Sequence, residues 1–407
     1  MNDSVKPTID NGRNNHSFWS RDFVIGLVGY FFLFMSVTLF YMLPLFLGQF
    51  NPSKSRVGLI MGVHSVMAIL IRPVFGRLID VRGGRKISLL GIGLLIATVP
   101  FFHLVRDAGA LPLLLRALTG MGWGVSMTAT IAVCSDLAPV GSLARSMGII
   151  GVAGLVANAL GPLAAEEIIN RWGFGWLFNF GVIFLAAAFA CVLYIKDIPR
   201  DPEASAAGSS GLKNAAILTI LIISAMPVFH GAVRGTMIYF IALFANSIGI
   251  GRVGPFFVVF SLAAILTRFG MADLSDRFGR KRVIIPAAAL ISVNLLIISL
   301  MKSPGLFIVT GFLGGLGQGL IFPALSTYFI DFLGRENKGM AISLYSSLFD
   351  VGMGLGSPFF GWISDIWGYR RMYLFAGVFL FVSTIVFMWK APLTEGDGSG
   401  AVPAQKT

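Results

Sequence analysis

The sequence predicts an all-α membrane protein, with twelve transmembrane helices arranged as two pseudo-symmetric six-helix bundles. Hydrophobic residues make up 56% of the 407 residues and charged residues only 12%, about half the roughly 25% that is usual in soluble domains. The mean hydropathy of +0.82 leaves too little polar surface for a soluble globule and excludes a disordered chain. The net charge of +12 is scattered between long apolar runs. We therefore predict no nucleic-acid partner, which would require basic residues gathered on one face.

The predicted spans are apolar runs with few charges that are long enough to cross a bilayer, for which about 20 residues suffice. These runs do not alternate polar and apolar residues as the strands of a membrane β-barrel do, so we predict helices. The first run follows a polar segment and is expected to act as the targeting signal. In chain order the spans are 23–49, 57–79, 86–105, 110–136, 143–168, 174–195, 214–246, 253–274, 282–301, 304–332, 338–364 and 370–390.

Charge also predicts the orientation of the chain in the membrane. Most of the 31 Lys and Arg residues fall on the side of the predicted bilayer that holds both chain ends. Cytoplasmic loops carry an excess of these residues. We therefore predict a multi-pass protein of the cell membrane with both termini in the cytoplasm, and we expect it to be monomeric.

The chain divides into two halves that repeat one plan. A hydrophilic linker at 196–213, rich in Gly, Ser and Pro, separates the two groups of six spans, as flexible linkers do. We predict a cytoplasmic arm at 1–22, bundles at 23–195 and 214–390, and a tail at 391–407. The bundles share residues at an offset of about 195, which indicates a parallel repeat: Arg72 with Arg268, Asp80 with Asp276, Gly83 with Gly279, Gly120 with Gly315, and Gly161 with Gly356.

The loops after predicted spans 2 and 8 carry the same motif. The first reads GRLIDVRGGRK from Gly76 to Lys86, and the second reads ADLSDRFGRK from Ala272 to Lys281. Both resemble the loop signature of the major facilitator superfamily (MFS), in which Gly, three residues and Asp precede Arg or Lys, Gly and a basic pair. The second copy departs from it in having Ala272 for the leading glycine, and the first in having Val81 where a basic residue is common. The resemblance covers residues 20–390 and implies the MFS fold.

The motif residues form a candidate conformational gate. Arg72, Gly76 and Asp80 recur every four residues and therefore share one helix face, and a glycine on such a face admits a second helix. A carboxylate at the end of span 2 would be stabilised by the N-terminus of span 11, and nearby arginines could hold it further. The resemblance implies that these contacts lock the halves together at the cytoplasmic side; the alternative is that the basic residues only set orientation. The expected gate residues are Gly76, Asp80, Arg82, Gly83, Arg85, Asp276, Arg277, Gly279 and Arg280.

Predicted span 5 bears on the direction of transport. Gly148, Gly151, Gly154 and the pair Gly161-Pro162 lie on it at helical spacing. They partly resemble the glycine–proline signature of MFS antiporters, although Ala157 replaces a glycine. The resemblance favours export, while ordinary helix packing through small residues stays open as an alternative.

Charged residues inside the spans are candidates for proton coupling, because a charge in the membrane is costly unless it is paired. Asp350 is the only carboxylate deep in any span, and His230 and Arg234 share one face of span 7. A static ion pair between Asp350 and Arg234 is the alternative. For Arg116 in span 4, the resemblance implies a role in proton coupling; the alternative is that its side chain extends outward from near the helix end to the membrane surface. Arg72 and Arg268 are symmetric and are interpreted as structural.

Aromatic and methionine side chains are predicted to line a central cavity. Such an adaptable apolar wall suits an amphipathic organic solute, although plain packing would explain any one of these residues. The candidates are Phe34, Tyr41, Trp123, Phe229, Met237 and Phe322.

The favoured function is a secondary transporter that moves a small organic solute by alternating access, through proton-coupled efflux of a drug-like or amphipathic metabolite. The alternative is proton-coupled uptake of an organic anion, because four intramembrane arginines accompany one deep carboxylate. The sequence contains no phosphate-binding loop for ATP and no nucleophile–base or metal-ligand constellation. We therefore predict no enzyme, no metal and no cofactor. The expected partners are the solute, protons and the lipid bilayer.

Overall fold

The computed structural model describes residues 19–138, 142–195, 217–271, 274–334 and 338–393. Within these ranges every regular element is a helix. The predicted linker 196–213 lies outside the described residues, as do most of the predicted arm and tail and the side chains of Asp80 and Asp276.

The described residues form twelve membrane-spanning helices, as the sequence predicted. Ten helices are long and apolar enough to cross a bilayer. One of these, Lys338–Lys390, breaks at Gly368, where φ is 79°, and supplies two spans, while the shorter apolar helix Gly254–Gly270 supplies another. The helices are α1 Arg21–Gly48, α2 Lys54–Arg82, α3 Gly84–Leu104, α4 Ala110–Asp136, α5 Leu143–Trp172, α6 Phe174–Tyr194, α7 Ile217–Ser247, α8 Gly254–Gly270, α9 Arg280–Ser299, α10 Pro304–Leu333, and α11 and α12 before and after Gly368 in Lys338–Lys390.

Serine side chains mark several helix starts. Ser20 accepts a hydrogen bond from the N–H of Phe23 and Ser53 from that of Arg56, both at 3.2 Å. Each bond satisfies one of the first-turn N–H groups that lack a partner within the helix. The starts of α1 and α2 are therefore encoded locally.

The two halves pack internally in the same way. Gly120 of α4 lies against the backbone of α2 at His64, and Gly315 of α10 lies against the backbone of α8 at Phe260. A Cβ atom at either glycine would overlap these backbone atoms. The glycines are needed because the helices approach more closely than larger side chains permit.

At one face of the membrane domain the two halves are in tight contact. Gly58 and Gly62 of α2 lie directly on the backbone of α11 around Ser357 and Gly354. Gly254 at the start of α8 lies against Leu163 of α5. We call this end, where α2 and α8 begin, the closed face.

At the opposite end the halves are apart. Within the described part of the chain, no neighbouring atom lies within 4 Å of the position that a Cβ would take at Gly76 of α2, Gly148 of α5 or Gly339 of α11. We call this end, which carries the Gly83 and Gly279 turns, the open face. The close approach expected at Gly76 is therefore absent in this conformation, because α2 and α11 have diverged there.

Candidate functional site

A central cavity of about 540 Å³ lies between the two halves. Its wall is formed by α1, α2, α4, α5, α7, α10 and α11. It extends from Met147 and Gly339 near the open face to Phe40 and Met61, beyond which the helices of the closed face are in contact. Among the described residues, the helices therefore seal the cavity at the closed face and diverge from one another at the open face.

Four of the six predicted lining residues are in this wall. Phe34, Tyr41, Trp123 and Phe322 face the cavity. The rings of Phe34 and Trp123 meet edge to face at 5.4 Å, a favourable aromatic geometry. The wall combines these rings with methionines, and it offers an apolar surface to a bound solute.

Phe229 and Met237 of α7 are placed elsewhere. The Phe229 ring packs on Phe379 of α12, with centroids 4.6 Å apart. Met237 is buried and its methyl group is directed at Gly314 of α10. The sequence predicted that α7 borders the cavity, but the residues of that helix that do so are Ile238 and Tyr239.

One ion pair crosses the cavity between the halves. Asp350 of α11 accepts a hydrogen bond from the guanidinium of Arg72 on α2. Both side chains border the cavity and remain partly accessible, at 18% and 24% exposure. The sequence suggested Arg234 as the partner of Asp350, and it interpreted Arg72 as structural. The structure instead makes Arg72 the counterion, because α2 faces α11 across the cavity.

Arg234 and His230 have other partners. The Arg234 guanidinium lies over the Phe260 ring at 4.4 Å, within cation–π range, and 3.5 Å from Oδ1 of Asn158. His230 is buried, with its Nε2 at 2.9 Å from Oε1 of Gln318. Neither residue is among those that line the cavity.

Arg116 is a buried cation in the cavity wall. Its side chain is 4% exposed, and its buried Nε atom has no hydrogen-bond partner among the described residues. The described part of the chain also places no carboxylate in an ion pair with it. Because a charge in the membrane is costly without a partner, this guanidinium is available to an acidic group of a ligand.

The turn glycines of the predicted gate have a clear backbone role. Gly83 and Gly279 adopt φ values of 84° and 95°, a region that favours glycine. They turn the chain from α2 into α3 and from the short helix Leu274–Phe278 into α9.

The basic gate residues that have contacts bind within their own half. Arg85 donates to the carbonyl oxygens of Val192 and Leu193 at the end of α6, at 3.2 and 2.6 Å. Arg280 pairs with Asp331 of α10 at 2.9 Å. The side chains of Arg82 and Arg277 are exposed.

Two carboxylates at the closed face were not among the predicted site residues. Glu166 of α5 accepts hydrogen bonds from the backbone at the start of α8, and Asp365 of α11 does so at the start of α2. Sequence patterns could not indicate either contact, since the partners are backbone N–H groups. His64, Ser65 and Tyr239 also border the cavity unpredicted.

Comparison with known families agrees with this architecture. Residues 26–258 and 246–406 match the family model of the Major Facilitator Superfamily. The chain belongs to this superfamily. It is therefore a transporter and not an enzyme, as the sequence predicted.

Two relatives in sequence are exporters or resistance proteins by name. The Staphylopine export protein of Staphylococcus aureus (strain Mu50) is 23% identical over 380 residues, which cover 86% of this chain and 91% of the relative. The Multidrug resistance protein MdtG of Citrobacter koseri is 26% identical over 393 residues, covering 92% and 95%.

Solved transporter structures share the fold of this superfamily member. The nucleoside transporter NupG superposes with a TM-score of 0.78 at 12% identity, covering 91% of this chain and 100% of the other. A bacterial homologue of the human lysosomal transporter Spinster, in an inward-facing and unoccupied conformation, gives 0.75 at 15% identity, covering 92% and 97%. At these identities the likeness concerns the fold alone.

Proposed function

We propose that this protein is a proton-coupled exporter of amphipathic organic solutes that works by alternating access. The observation that carries the proposal is the ion pair between Asp350 and Arg72, which joins the two halves in the wall of the cavity. Asp350, the acid of this pair, is predicted to lie deep in the membrane. Both members of the pair border the space that a solute would occupy.

Protonation of Asp350 would change the contact between the halves. An ionised Asp350 attracts Arg72, whereas a neutral one does not, so proton binding weakens a link between α2 and α11. A group that is charged in one conformation and neutral in another couples the proton gradient to the conformational equilibrium. The coupling acid is the one predicted from sequence, and its partner is different.

The cavity supports a solute that is largely apolar. Apolar side chains form most of the wall, among them Phe34, Trp123, Met127 and Phe322. Adaptable apolar walls with a few polar groups suit organic ligands. In the predicted orientation the open face is cytoplasmic, so a solute for export would enter there. The names of the two sequence relatives support this direction.

The test is the Asp350→Asn variant in inside-out membrane vesicles, with ethidium as the transported dye. We expect acidification of the lumen to drive dye accumulation by the unaltered protein and not by the variant. Downhill exchange of dye should persist in the variant, because the cavity wall is otherwise unchanged. Glu167→Gln, which removes an exposed acid, is the matched control. Accumulation by Asp350→Asn at the normal rate would contradict the proposed coupling.

A second candidate function rests on Arg116, the buried cation without a carboxylate partner in the described structure. It favours an organic anion. Protonation of Asp350 would then release Arg72 as a second cation for that anion. Proton and anion would bind together, which is the condition for symport. Antiport instead requires proton and solute to compete.

The effect of protonation on solute binding distinguishes the two functions, because a proton strengthens binding of the solute in symport and weakens it in antiport. We would measure thermal stabilisation of the purified protein by 2-naphthoate and by naphthylmethylammonium, which share a ring system and differ in charge, at pH 6 and pH 8. Only a ligand that binds the folded state stabilises it. Antiport predicts that the ammonium compound binds more weakly at pH 6. Tighter binding of naphthoate at pH 6, lost in Arg116→Gln, would favour the symporter.

A further inference from the structure

We propose that Glu166 and Asp365 are a pair of carboxylate latches that hold the closed face shut during the transport cycle. Each caps the first turn of a helix in the opposite half. The proposal rests on the alternating-access part of the proposed function, and not on its proton coupling or its substrate.

The first latch joins α5 to α8. Glu166 accepts two hydrogen bonds, from the N–H of Val253 to Oε1 at 2.9 Å and from the N–H of Gly254 to Oε2 at 2.8 Å. Gly254 is the first residue of α8. Glu166 is 9% exposed, so both bonds form away from bulk water.

The second latch joins α11 to α2. Asp365 accepts from the N–H of Lys54 to Oδ1 at 2.6 Å and from the N–H of Ser55 to Oδ2 at 2.8 Å. The Lys54 ammonium adds a hydrogen bond to the carbonyl oxygen of Ser364 at 3.2 Å. Here too the acceptor lies in one half and the helix start in the other.

The same physical contact is made in both places. The first N–H groups of a helix have no partner within the helix, and the helix dipole favours negative charge there. A carboxylate with both oxygens bound meets both demands, and charge-assisted bonds of this kind are stronger than neutral ones. All four bonds must break when the halves separate at this face, so the latches favour the conformation in which it is closed.

The two latches are related by the internal repeat but lie one helical turn apart in depth. Gly173 and Gly368 end α5 and α11 with φ values of 84° and 79°, and by this register Glu166 corresponds to Gly361. A Cβ at Gly361 would overlap the backbone of Lys54, so an acid cannot occupy that position. On the other side of the contact, the Arg72–Arg268 register matches Gly254 to Gly58. Thus α8 begins one turn later than α2 in the repeat. Glu166, which caps α8, correspondingly lies one turn further from the end of its own helix than Asp365 does.

The neighbouring acid lacks these features. Glu167 contacts only the side chains of Arg171 at 3.2 Å and Arg252 at 4.0 Å within the described structure, and it is 42% exposed. Exposed ion pairs contribute little to stability. Glu167→Gln is therefore a control with the same change of charge, one residue away from the latch.

The test measures distances between spin labels in reconstituted full-length protein. Cysteines replace Gln49 and Lys302, which are exposed at the closed face in opposite halves, after Cys134 and Cys191 are changed to alanine. We compare Glu166→Gln, Asp365→Asn and the double variant with Glu167→Gln. Glu166→Gln should increase the ratio of long to short distances about tenfold, equivalent to about 1.4 kcal/mol. Asp365→Asn should increase it less, because Asp365 is exposed to solvent and exposed charges contribute less. The double variant should change it more, and Glu167→Gln should not change it.

A second pair of variants tests the backbone N–H donor at Lys54 instead of the carboxylate acceptor at Asp365. Lys54 is the first helical residue, where proline is well tolerated, and Ser53 before it has φ −60° and ψ 150°, which suits a residue preceding proline. Lys54→Pro therefore deletes the N–H bound by Asp365 and preserves the helix. Lys54→Ala keeps the N–H and removes only the ammonium.

We expect the spin-label distances to shift toward the long population more in Lys54→Pro than in Lys54→Ala, in addition to the shifts expected for the acid variants. Unchanged distance distributions in Glu166→Gln, Asp365→Asn and Lys54→Pro would overturn the latch proposal. That outcome would leave proton-coupled transport standing, because the latter is tested separately by dye accumulation in Asp350→Asn.

Discussion

Individual charged residues in this protein are held by partners on other helices, often far away in the sequence. Asp350 pairs with Arg72 across the cavity, and Arg280 pairs with Asp331 inside the second half. The two pairs differ in exposure. The first borders the cavity and is partly accessible, whereas the side chains of Arg280 and Asp331 are only 9% and 5% exposed. We therefore assign a stabilising role to the second pair and a dynamic role to the first.

Loss of the buried pair should destabilise the folded protein. In Asp331→Asn, Arg280 would lose the carboxylate that its Nε binds at 2.9 Å, and removal of one member of a buried ion pair costs roughly 3–5 kcal/mol. We expect a clearly lower unfolding temperature in detergent. Glu167→Gln, which affects an exposed pair, should leave the unfolding temperature nearly unchanged. Equal unfolding temperatures for the two variants would contradict the assignment.

Whole helices in this fold are positioned by contacts between small residues. Gly120 and Gly315 bring α4 onto α2 and α10 onto α8, whereas Gly58 and Gly62 bring α2 onto α11 at the closed face. In lipid the hydrophobic effect does not drive helices together, so close packing has to do so. Glycines therefore act at contacts within each half and at contacts between the halves.

Alanine substitutions should lower stability at glycines that are packed against another helix and not at glycines that lack such a contact. A Cβ at Gly120 would lie 2.8 Å from Cα of His64, whereas one at Gly93 on α3 would meet no described atom within 4 Å. Gly120→Ala should lower stability by about 1–3 kcal/mol, as overpacking does. Gly93→Ala should maintain or slightly raise it, because alanine loses less backbone entropy in a helix. Thermal unfolding of both variants measures the difference, and a stable Gly120→Ala with a damaged Gly93→Ala would refute this view of the packing.

At the scale of the whole molecule, the structure represents one of the two states of the alternating-access cycle that we propose. The closed face is held by backbone contacts and by the caps of Glu166 and Asp365, while the halves diverge at the open face. Transport by alternating access requires a second state in which these roles are exchanged. The motif around Asp80 is the sequence feature expected to stabilise that second state.

Asp80→Asn should therefore reduce the population in which the open face has closed. A carboxylate at the end of α2 would be stabilised by the N-terminus of α11 in that state, and an amide would be stabilised less. Spin labels at Val81 and Lys338, both exposed at the open face, should report long and short distances in the protein with Asp80 intact. The short distances should decrease in Asp80→Asn and remain in Asp22→Asn. Identical distributions in all three proteins would exclude a gating role for Asp80.

The sequence by itself determined the twelve helices, their repeat and the depth of Asp350, Arg116 and Arg234. Each of these depends on local or one-dimensional properties, because the bilayer demands apolar length and internal backbone hydrogen bonds. The rotation of each helix about its axis and the contacts between helices are not determined by the order of apolar and polar residues along the chain. Only the tertiary structure decided that Asp350 meets Arg72 and that Phe229 and Met237 turn away from the cavity. It alone also placed Glu166 and Asp365 on helix starts, because their partners are backbone N–H groups, which nearly every residue carries and no sequence pattern distinguishes.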